Sequence, residues 1–156
     1  MQRQDYILRM IGELRQFVRG ALGAGGSTGA KEALHAVMHA QQQLFQQPVA
    51  EVLALSLHEQ IEQLGRGHTT DIAAEKVITY AAILGQAALV YDGTSQPDLA
   101  LGSRQLALGA LLTAAIRWPE IGAELAGEIE VLRKQLSDEE LNAPVQEMLR
   151  EWDARD

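Results

Sequence analysis

Two segments of the chain, at about residues 71–91 and 97–117, are apolar on nearly every face of a helix. The apolar residues of the first are Ile72, Val77, Ile78, Ala81, Ile83, Leu84, Ala88 and Leu89, and those of the second are Leu101, Leu106, Leu108, Leu111, Leu112 and Ile116. A helix that is apolar all round has to be enclosed by other elements, because none of its faces suits water. We therefore predict that these two helices form an antiparallel hairpin at the centre of the fold.

Small and polar residues mark the contact between these two helices. In an antiparallel register Gly85 is opposite Gly102 or Ser103, which predicts a close approach of the two backbones at that level. Arg104 is the one charge deep within the second helix, and it is either a buried ligand-binding cation or part of a polar seam with Ser103 and Gln105. We favour the seam, because it requires no ligand.

The rest of the chain divides into amphipathic segments separated by signals that start and end helices. Residues 3–22 carry apolar side chains at spacings of three and four, which is typical of an amphipathic helix. Ser56 and Ser137 are each followed three residues later by glutamate, which is the pattern of a capping box. In chain order we predict helices at about 3–22 and 30–45, a helical turn or connector at 49–55, a helix from Leu57 to about 65, the two central helices, a helix from Pro119 to about 136, and an acidic C-terminal helix at 138–153.

Composition supports an all-α fold in a single domain. The 156 residues are enough for one domain with a sizeable core, and a low aromatic content of 4% with only four prolines favours helices over β-sheet. The chain has no cysteine, which excludes disulfides, thiol nucleophiles and thiolate zinc sites. We predict one domain over residues 1–156, with about six to seven helices in antiparallel hairpins.

Charge is unevenly distributed along the chain, whose net charge is −8. Residues 1–31 carry five basic and two acidic side chains, whereas residues 32–156 carry eight basic and nineteen acidic ones. An acidic body argues against binding to nucleic acid. We therefore expect a protein partner that presents an apolar or basic segment, steered by surface acids. Candidate steering residues are Glu124, Glu128, Glu139 and Glu147.

Membrane association is the alternative that the N-terminal helix leaves open. Residues 3–22 combine the apolar stripe with four arginines, a composition that suits the surface of an anionic membrane. We favour docking of the stripe within the protein's own fold, which is the usual arrangement of an amphipathic helix. No signal peptide is recognisable, and the most apolar stretch, 77–91, is shorter than the ~20 residues of a membrane-spanning helix. The expected location is the cytoplasm.

The stretch GAGGSTGAKE, residues 23–32, matches catalytic and nucleotide-binding motifs only in its letters. Residues 25–29 fit G-x-S-x-G, but the nucleophile elbow of hydrolases needs a strand before the serine, and a predicted helix precedes Ser27. The phosphate-binding loop needs lysine directly after its last glycine, where this chain has Ala30. We therefore predict a flexible glycine-rich linker at residues 23–29.

One face of the second helix carries the residue types of a metal site. His35 and His39 lie one turn apart, and Glu32 lies one turn earlier. The zinc-protease pattern places glutamate directly after the first histidine, where this chain has Ala36. We predict a solvated helix face without metal or cofactor, and a site at these three residues is the alternative. Since no residue set indicates catalysis, the chain is predicted not to be an enzyme.

Five glutamines surround the end of the second helix, at positions 41, 42, 43, 46 and 47. The run is too short to be a low-complexity segment. We predict that these side chains coat the exposed end of the helix.

The segment DYILRMIGELRQFVRGALG, residues 5–23, resembles the opening helix of a family of small uncharacterised bacterial proteins. Ala33-Leu34 followed by Ala40, and Ala100-Leu101 followed by Ala107-Leu108, are similar to the seven-residue alanine spacing in the second helix of a tetratricopeptide repeat, and Leu84-Gly85 resembles the pair in its first helix. The chain departs from that repeat because it has no period of about 34 residues. Arg104 also stands where an aromatic residue or leucine is usual.

This resemblance implies a tetratricopeptide-like bundle of helical hairpins that binds other proteins. Because the family is uncharacterised, the resemblance carries no catalytic residues over to this chain. The function that follows is that of a non-enzymatic helical interaction module in the bacterial cytoplasm, with self-association as an alternative.

Overall fold

The computed structural model describes residues 2–23, 26–137 and 140–155, and their side chains from Arg9 onward except that of Ser27. Within these ranges the protein is all-helical, as predicted, with eight α-helices rather than six to seven, because the connector at 49–55 contains a helix of its own. The helices are α1 Gln2–Gly23, α2 Gly26–Phe45, α3 Val49–Leu53, α4 Leu57–Gly65, α5 Thr70–Gly93, α6 Pro97–Arg117, α7 Gly122–Gln135 and α8 Ala143–Asp153, with a 3-10 turn at Pro119–Ile121 before α7.

Local sequence signals set several helix ends. At the start of α4 the backbone N–H of Ser56 donates to Glu59 Oε1 at 2.9 Å, and the backbone N–H of Glu59 donates to Ser56 Oγ at 3.2 Å. This confirms the predicted capping box. Hydrogen bonding from the Ser56 backbone, and secondly from its side chain, lowers the pKa of the Glu59 carboxyl. Pro97 occupies the first turn of α6, and Trp118-Pro119 ends that helix.

The predicted linker at 23–29 is wrong at Gly23, which is the last residue of α1, and over residues 26–29, which form the first turn of α2. Gly26 has a φ of +81°, a conformation that glycine adopts without strain. Gly29 faces α1 so closely that a Cβ at this position would collide with the carbonyl oxygen of Ala21. The glycine at 29 therefore serves a close approach of two helices. The part of the linker prediction that concerns Ala24 and Gly25 lies outside the described residues.

The C-terminal helix begins at Ala143 and not at residue 138. Its N-cap is Asn142, whose Oδ1 accepts a hydrogen bond from the Val145 N–H at 3.0 Å. The Ser137 N–H does donate to Glu140 Oε1 at 3.0 Å, as in a capping box, but the long helix starts only after the second cap, at Asn142. Residues 138 and 139 lie outside the described part of the chain.

The core consists of two hydrophobic clusters that share α5. The main cluster surrounds the contact between α5 and α6, which is the most extensive between any two helices of the described chain. Its fully buried side chains include Ile61, Tyr80, Leu108, Leu111, Leu125 and Ile129. The N-terminal cluster joins α1, α2 and α5 and includes Ile11, Leu14, Val18, Ala33, Val37 and Ile83. The two central helices were therefore correctly predicted to be enclosed by the others.

The apolar stripe of α1 is buried against α2 and α5. Ile11, Leu14 and Val18 are all buried, whereas Phe17, on another face of the helix, is 48% exposed. The preference for docking within the fold is thus confirmed for Ile11, Leu14 and Val18, but not for Phe17, which the predicted stripe also included. Tyr6 and Ile7, which belong to the predicted stripe, lie outside them.

Two helices, α5 and α6, are long and apolar enough, judged by length and composition alone, to cross a membrane. The prediction that the most apolar stretch is too short to span a membrane is therefore wrong as far as helix length is concerned. In each helix 56% of the most apolar window is buried inside the protein, and core helices of soluble proteins meet the same criterion. The apolar character of both helices is thus accounted for by their place in the core.

The predicted close approach at Gly85 is also wrong. In the described part of the chain, no atom from outside the local helix lies within 4 Å of the place that a Cβ would occupy at Gly85 or Gly102. Tight approaches occur instead at Gly109, where a Cβ would lie 2.8 Å from Leu57, and at Gly65, where it would lie 2.6 Å from the Trp118 ring. At Gly109 and Gly65, glycine leaves room for a side chain that comes from another part of the chain and lies against the helix.

Candidate functional site

An apolar groove of about 310 Å³ lies between α2, α3, α5 and α6. Its size is at the lower end of the roughly 300 to 1,000 Å³ that ligand pockets span. Its lining comes from Leu34, Val37, Met38 and Gln41 of α2, Val49 and Leu53 of α3, Leu84, Ala87 and Tyr91 of α5, and Asp98, Leu99, Gly102, Ser103 and Leu106 of α6. These residues are far apart in the sequence, so the groove exists only in the folded chain.

Three large apolar side chains stand exposed around this groove. Met38 is 42% exposed, Leu53 56% and Leu99 49%, and they come from α2, α3 and α6, respectively. A single exposed apolar side chain needs no explanation, but several around one concave surface are typical of an interaction site. The groove thus combines a continuous apolar surface with side chains that a bound segment would cover.

The groove also contains a buried polar side chain with an unsatisfied donor. Gln41 is only 5% exposed, and its Nε2 is the one buried side-chain nitrogen or oxygen of the described residues that lacks a hydrogen-bond partner. An unmade hydrogen bond in the interior costs about 1 to 3 kcal/mol, so such groups are uncommon in folded proteins. The unpaired nitrogen is itself buried, so it lowers the stability of the fold without being exposed to a molecule in the groove.

Asp98 is the only charged side chain among the residues that line the groove in the described structure. It is exposed and lies in the first turn of α6, where a carboxylate also interacts favourably with the helix dipole. Arg104 does not line the groove: its guanidinium binds the Asp92 carboxylate at 2.5 Å across the turn between α5 and α6. Arg104 is therefore a partly exposed cation that is paired with an acid, and not a buried cation that waits for a ligand.

The structure does bring together the three residues of the predicted metal alternative, but only along one side of a shallow depression. Glu32, His35 and His39 line it with Phe17 and Gln42. Among the described residues, no group of three His, Asp or Glu side chains is placed to hold a metal ion. The geometry therefore gives no support to a metal site at this face.

The other residues considered from the sequence are dispersed. Lys31 lines a neighbouring depression of about 400 Å³, which shares Leu34 and Met38 with the groove. His58 is exposed at the start of α4. His68 is partly buried, and its Nε2 lies 2.9 Å from Lys76 Nζ, which acts as the donor. The side chain of Ser27 lies outside those described.

The acidic residues expected to steer a partner do not line the groove. Glu124 and Glu128 are exposed on α7, and Glu147 is exposed on α8, whereas α2, α3, α5 and α6 supply the lining. Glu139 lies outside the described residues. These glutamates therefore act on a partner only through the overall negative charge of the protein. Asp98 is the acidic residue that lines the groove.

Gln41 is the site residue that the sequence interpretation missed, since its glutamine run was predicted to coat an exposed helix end. Gln42 and Gln43 are indeed exposed, but Gln41 is buried. It lies four residues after Val37, so it continues the apolar stripe of α2. A glutamine that occupies a position of the buried stripe is a signal that the sequence does contain.

No protein-family model matches this chain, and no curated protein and no solved structure matches it either. The interpretation of the groove therefore depends on its own geometry and chemistry.

Proposed function

We propose that this protein is a non-enzymatic helical interaction module that binds a segment of another protein in the groove between α2, α3, α5 and α6. The observation that carries the proposal is the ring of exposed apolar side chains, Met38, Leu53 and Leu99, around a concave apolar surface. Burial of these side chains by a partner removes apolar area from water and so favours association. Occupation of the groove by such a segment is therefore energetically favourable.

The charge of the protein narrows the class of partner. Residues 32–156 have a surplus of eleven negative charges, and Asp98 places a carboxylate at the groove. A strongly acidic segment is repelled by this field, whereas a basic or apolar one is not. We propose an apolar segment that carries a basic residue as the occupant.

The arrangement of helices is consistent with this role. α6 follows α5 after a short connection and packs on it, and α1 packs on α2. We propose that these hairpins are tetratricopeptide-like, as the alanine spacings suggest, and that the protein acts in the cytoplasm. Burial of the α1 stripe favours this role over membrane attachment through α1.

Selection of binding peptides tests the proposal. A display library of short random peptides is selected against the wild-type protein, and the best binder is measured by fluorescence anisotropy against Leu53→Asp and Leu99→Asp. Both variants should abolish binding, because each places a charge among desolvated apolar groups. The matched control is Val131→Asp, which changes an apolar residue of similar exposure, 54%, on α7, away from the groove.

Two outcomes would contradict the proposal. One is a selection that yields no binder, and the other is a binder whose affinity is unchanged in both groove variants. Sedimentation velocity of the wild type and Leu99→Asp tests whether a second copy of the chain occupies the groove. If the wild type is a dimer and Leu99→Asp is a monomer, the groove serves self-association and not the binding of a different protein.

A further inference from the structure

We propose that Met38 is a site of reversible oxidation, at which a peroxide converts the thioether to a sulfoxide and thereby weakens binding in the groove. This switch rests on the proposed function, because it acts on the same groove, and it adds a chemical modification that regulates it. The class of oxidant is a small peroxide, and the class of enzyme that reverses the change is a methionine sulfoxide reductase.

Met38 is the methionine whose sulfur is most open to a reagent in water. Its side chain is 42% exposed, whereas Met10 and Met148, the other two methionines whose side chains the structure describes, are partly buried. The sulfur of Met148 also accepts a hydrogen bond from Thr113 Oγ1 at 3.4 Å, and Thr113 itself is buried. Oxidation needs a free lone pair on an accessible sulfur, so we expect Met38 to react first.

The position of Met38 connects this reactivity with binding. Met38 lines the groove, and it also lines the neighbouring depression of about 400 Å³ that includes Lys31 and Leu34. It belongs to the ring of exposed apolar side chains that a partner buries in the proposed complex. The same side chain is therefore accessible to an oxidant in the free protein and part of the contact surface in the complex.

The oxidation requires only a peroxide. A lone pair of the Met38 sulfur attacks one peroxide oxygen, the O–O bond breaks, and the sulfoxide forms as water leaves, so that sulfur loses two electrons and the peroxide gains them. Hydrogen peroxide is uncharged at neutral pH, so the net charge of −8 does not repel it. The chain has no cysteine, so no thiol of the same protein competes for the oxidant.

The reverse reaction requires a thiol reductant. The sulfoxide oxygen leaves as water while two thiols of the reductase become a disulfide, which restores the thioether.

The sulfoxide weakens binding because it places a polar group on an apolar contact surface. Oxidation replaces a flexible apolar side chain by one that carries a strongly accepting oxygen. An apolar segment offers this oxygen no hydrogen bond, so covering it removes water from a polar group without compensation. We expect the dissociation constant of the complex to rise about tenfold.

Peptide mapping by mass spectrometry tests the selectivity of the oxidation. The wild-type protein is treated with hydrogen peroxide, and the sulfoxide is measured over time at Met10, Met38 and Met148. Met38 should be oxidised before the other two, and the difference should disappear when the protein is unfolded in urea, since it comes from the fold. Equal rates in the folded protein, or an order that urea leaves unchanged, would overturn the assignment of Met38.

Fluorescence anisotropy tests the effect on binding, with the best binder from the peptide selection, chosen without methionine or cysteine. After removal of the peroxide, wild type oxidised at Met38 should bind this peptide about tenfold more weakly. Treatment with the two methionine sulfoxide reductases, one for each sulfoxide epimer, should restore the affinity. Unchanged affinity after complete oxidation of Met38 would overturn the switch.

Two variants separate Met38 from the other methionines. Met38→Leu keeps an apolar side chain of similar volume, and its dissociation constant, whatever its initial value, should be the same before and after peroxide. Met148→Leu is the matched control, since Met148 does not line the groove, and it should lose affinity on oxidation as the wild type does. Equal losses in Met38→Leu and the wild type would place the sensitive residue elsewhere and contradict the proposal.

The switch and the proposed function fail in different ways. If Leu99→Asp abolishes binding while wild type oxidised at Met38 keeps its affinity, the groove is the site and the switch is wrong. If Leu99→Asp binds normally, the groove is not the site and both are wrong.

Discussion

At the residue scale, the protein treats its two buried glutamines in opposite ways. Gln60 joins the α3–α4 connection to α5 through three hydrogen bonds, and its partner Tyr80 is fully buried. Phe45 packs edge-on against the Tyr80 ring, with the ring centroids 4.9 Å apart. Gln41 has an unsatisfied Nε2 in the groove. The first glutamine therefore stabilises the fold, whereas the unpaired donor of the second has a cost in stability.

Tyr80→Phe tests the structural assignment. The substitution keeps the aromatic packing and removes the donor to Gln60 Oε1, so we expect the free energy of unfolding to fall by about 1 to 3 kcal/mol. The measurement is urea denaturation at neutral pH. Tyr91→Phe, at a partly exposed position of the same helix, should change it by less than about 0.5 kcal/mol. Equal effects of the two substitutions would contradict the role of the hydrogen bond.

The same residue predicts a dependence on pH. Burial raises the pKa of the Tyr80 hydroxyl above its unfolded value of about 10. Its contribution to stability is therefore fully present below pH ~10 and is lost as the pH rises further, because only the unfolded state then releases the proton. The urea midpoint of the wild type should fall more steeply above pH ~10 than that of Tyr80→Phe, and parallel curves would show that Tyr80 does not couple ionisation to folding.

At the element scale, two close approaches between elements depend on glycine. At Gly29 the first turn of α2 lies against the backbone of α1, and at Gly65 the end of α4 lies against the Trp118 ring. In the middle of α5, by contrast, a Cβ added at Gly85 would meet no other element within 4 Å. Glycine at the first two places is thus a requirement of packing, whereas at Gly85 it weakens a helix.

Two glycine-to-alanine substitutions separate these cases. Gly29→Ala should lower the free energy of unfolding by about 1 to 3 kcal/mol, because the new methyl group meets the backbone of Ala21, which has little freedom to move. Gly85→Ala should raise it by about 1 kcal/mol through better helix propensity alone. Both are measured by chemical denaturation. A stabilising Gly29→Ala would mean that α1 and α2 do not approach as described.

At the scale of the whole molecule, the two hydrophobic clusters differ in how fully they are enclosed. The main cluster is surrounded by α4, α7 and α8 in addition to the central pair, whereas α1 covers the N-terminal cluster from one side, with most of its described residues exposed. Because α5 belongs to both clusters, the N-terminal helices are attached to the core but are not part of its centre. Local opening should therefore begin at α1.

Native-state hydrogen exchange measured by mass spectrometry tests this order. Amides in the described part of α1 should exchange faster than those of α5 and α6, most of whose central residues are buried. The physical reason is that release of α1 exposes little of the main cluster. Equal protection in α1 and α6 would contradict the prediction and would indicate a single cooperative core.

Much of the fold could be predicted from local sequence. The all-helical class, the enclosed pair α5 and α6, the start of α4 at Ser56 and the end of α6 at Trp118-Pro119 all depend on residues within a turn or two of one another. The start of α2 was predicted wrongly, because a glycine run is equally compatible with a loop and with a helix end that packs tightly. The start of α8 was predicted wrongly, because Asn142 follows the first capping signal within a few residues.

The sequence by itself determined where helices form and which of them are buried, because periodicity, capping and propensity act over short stretches of chain. Only the tertiary structure decided which glutamine has a partner, which glycine is needed and where a groove remains open. Gln60 and Tyr80 are twenty residues apart, and the groove joins residues of α2 with residues of α6. Such contacts depend on the rotation and crossing of helices, which the large side chains of the whole core set together and which no single segment specifies.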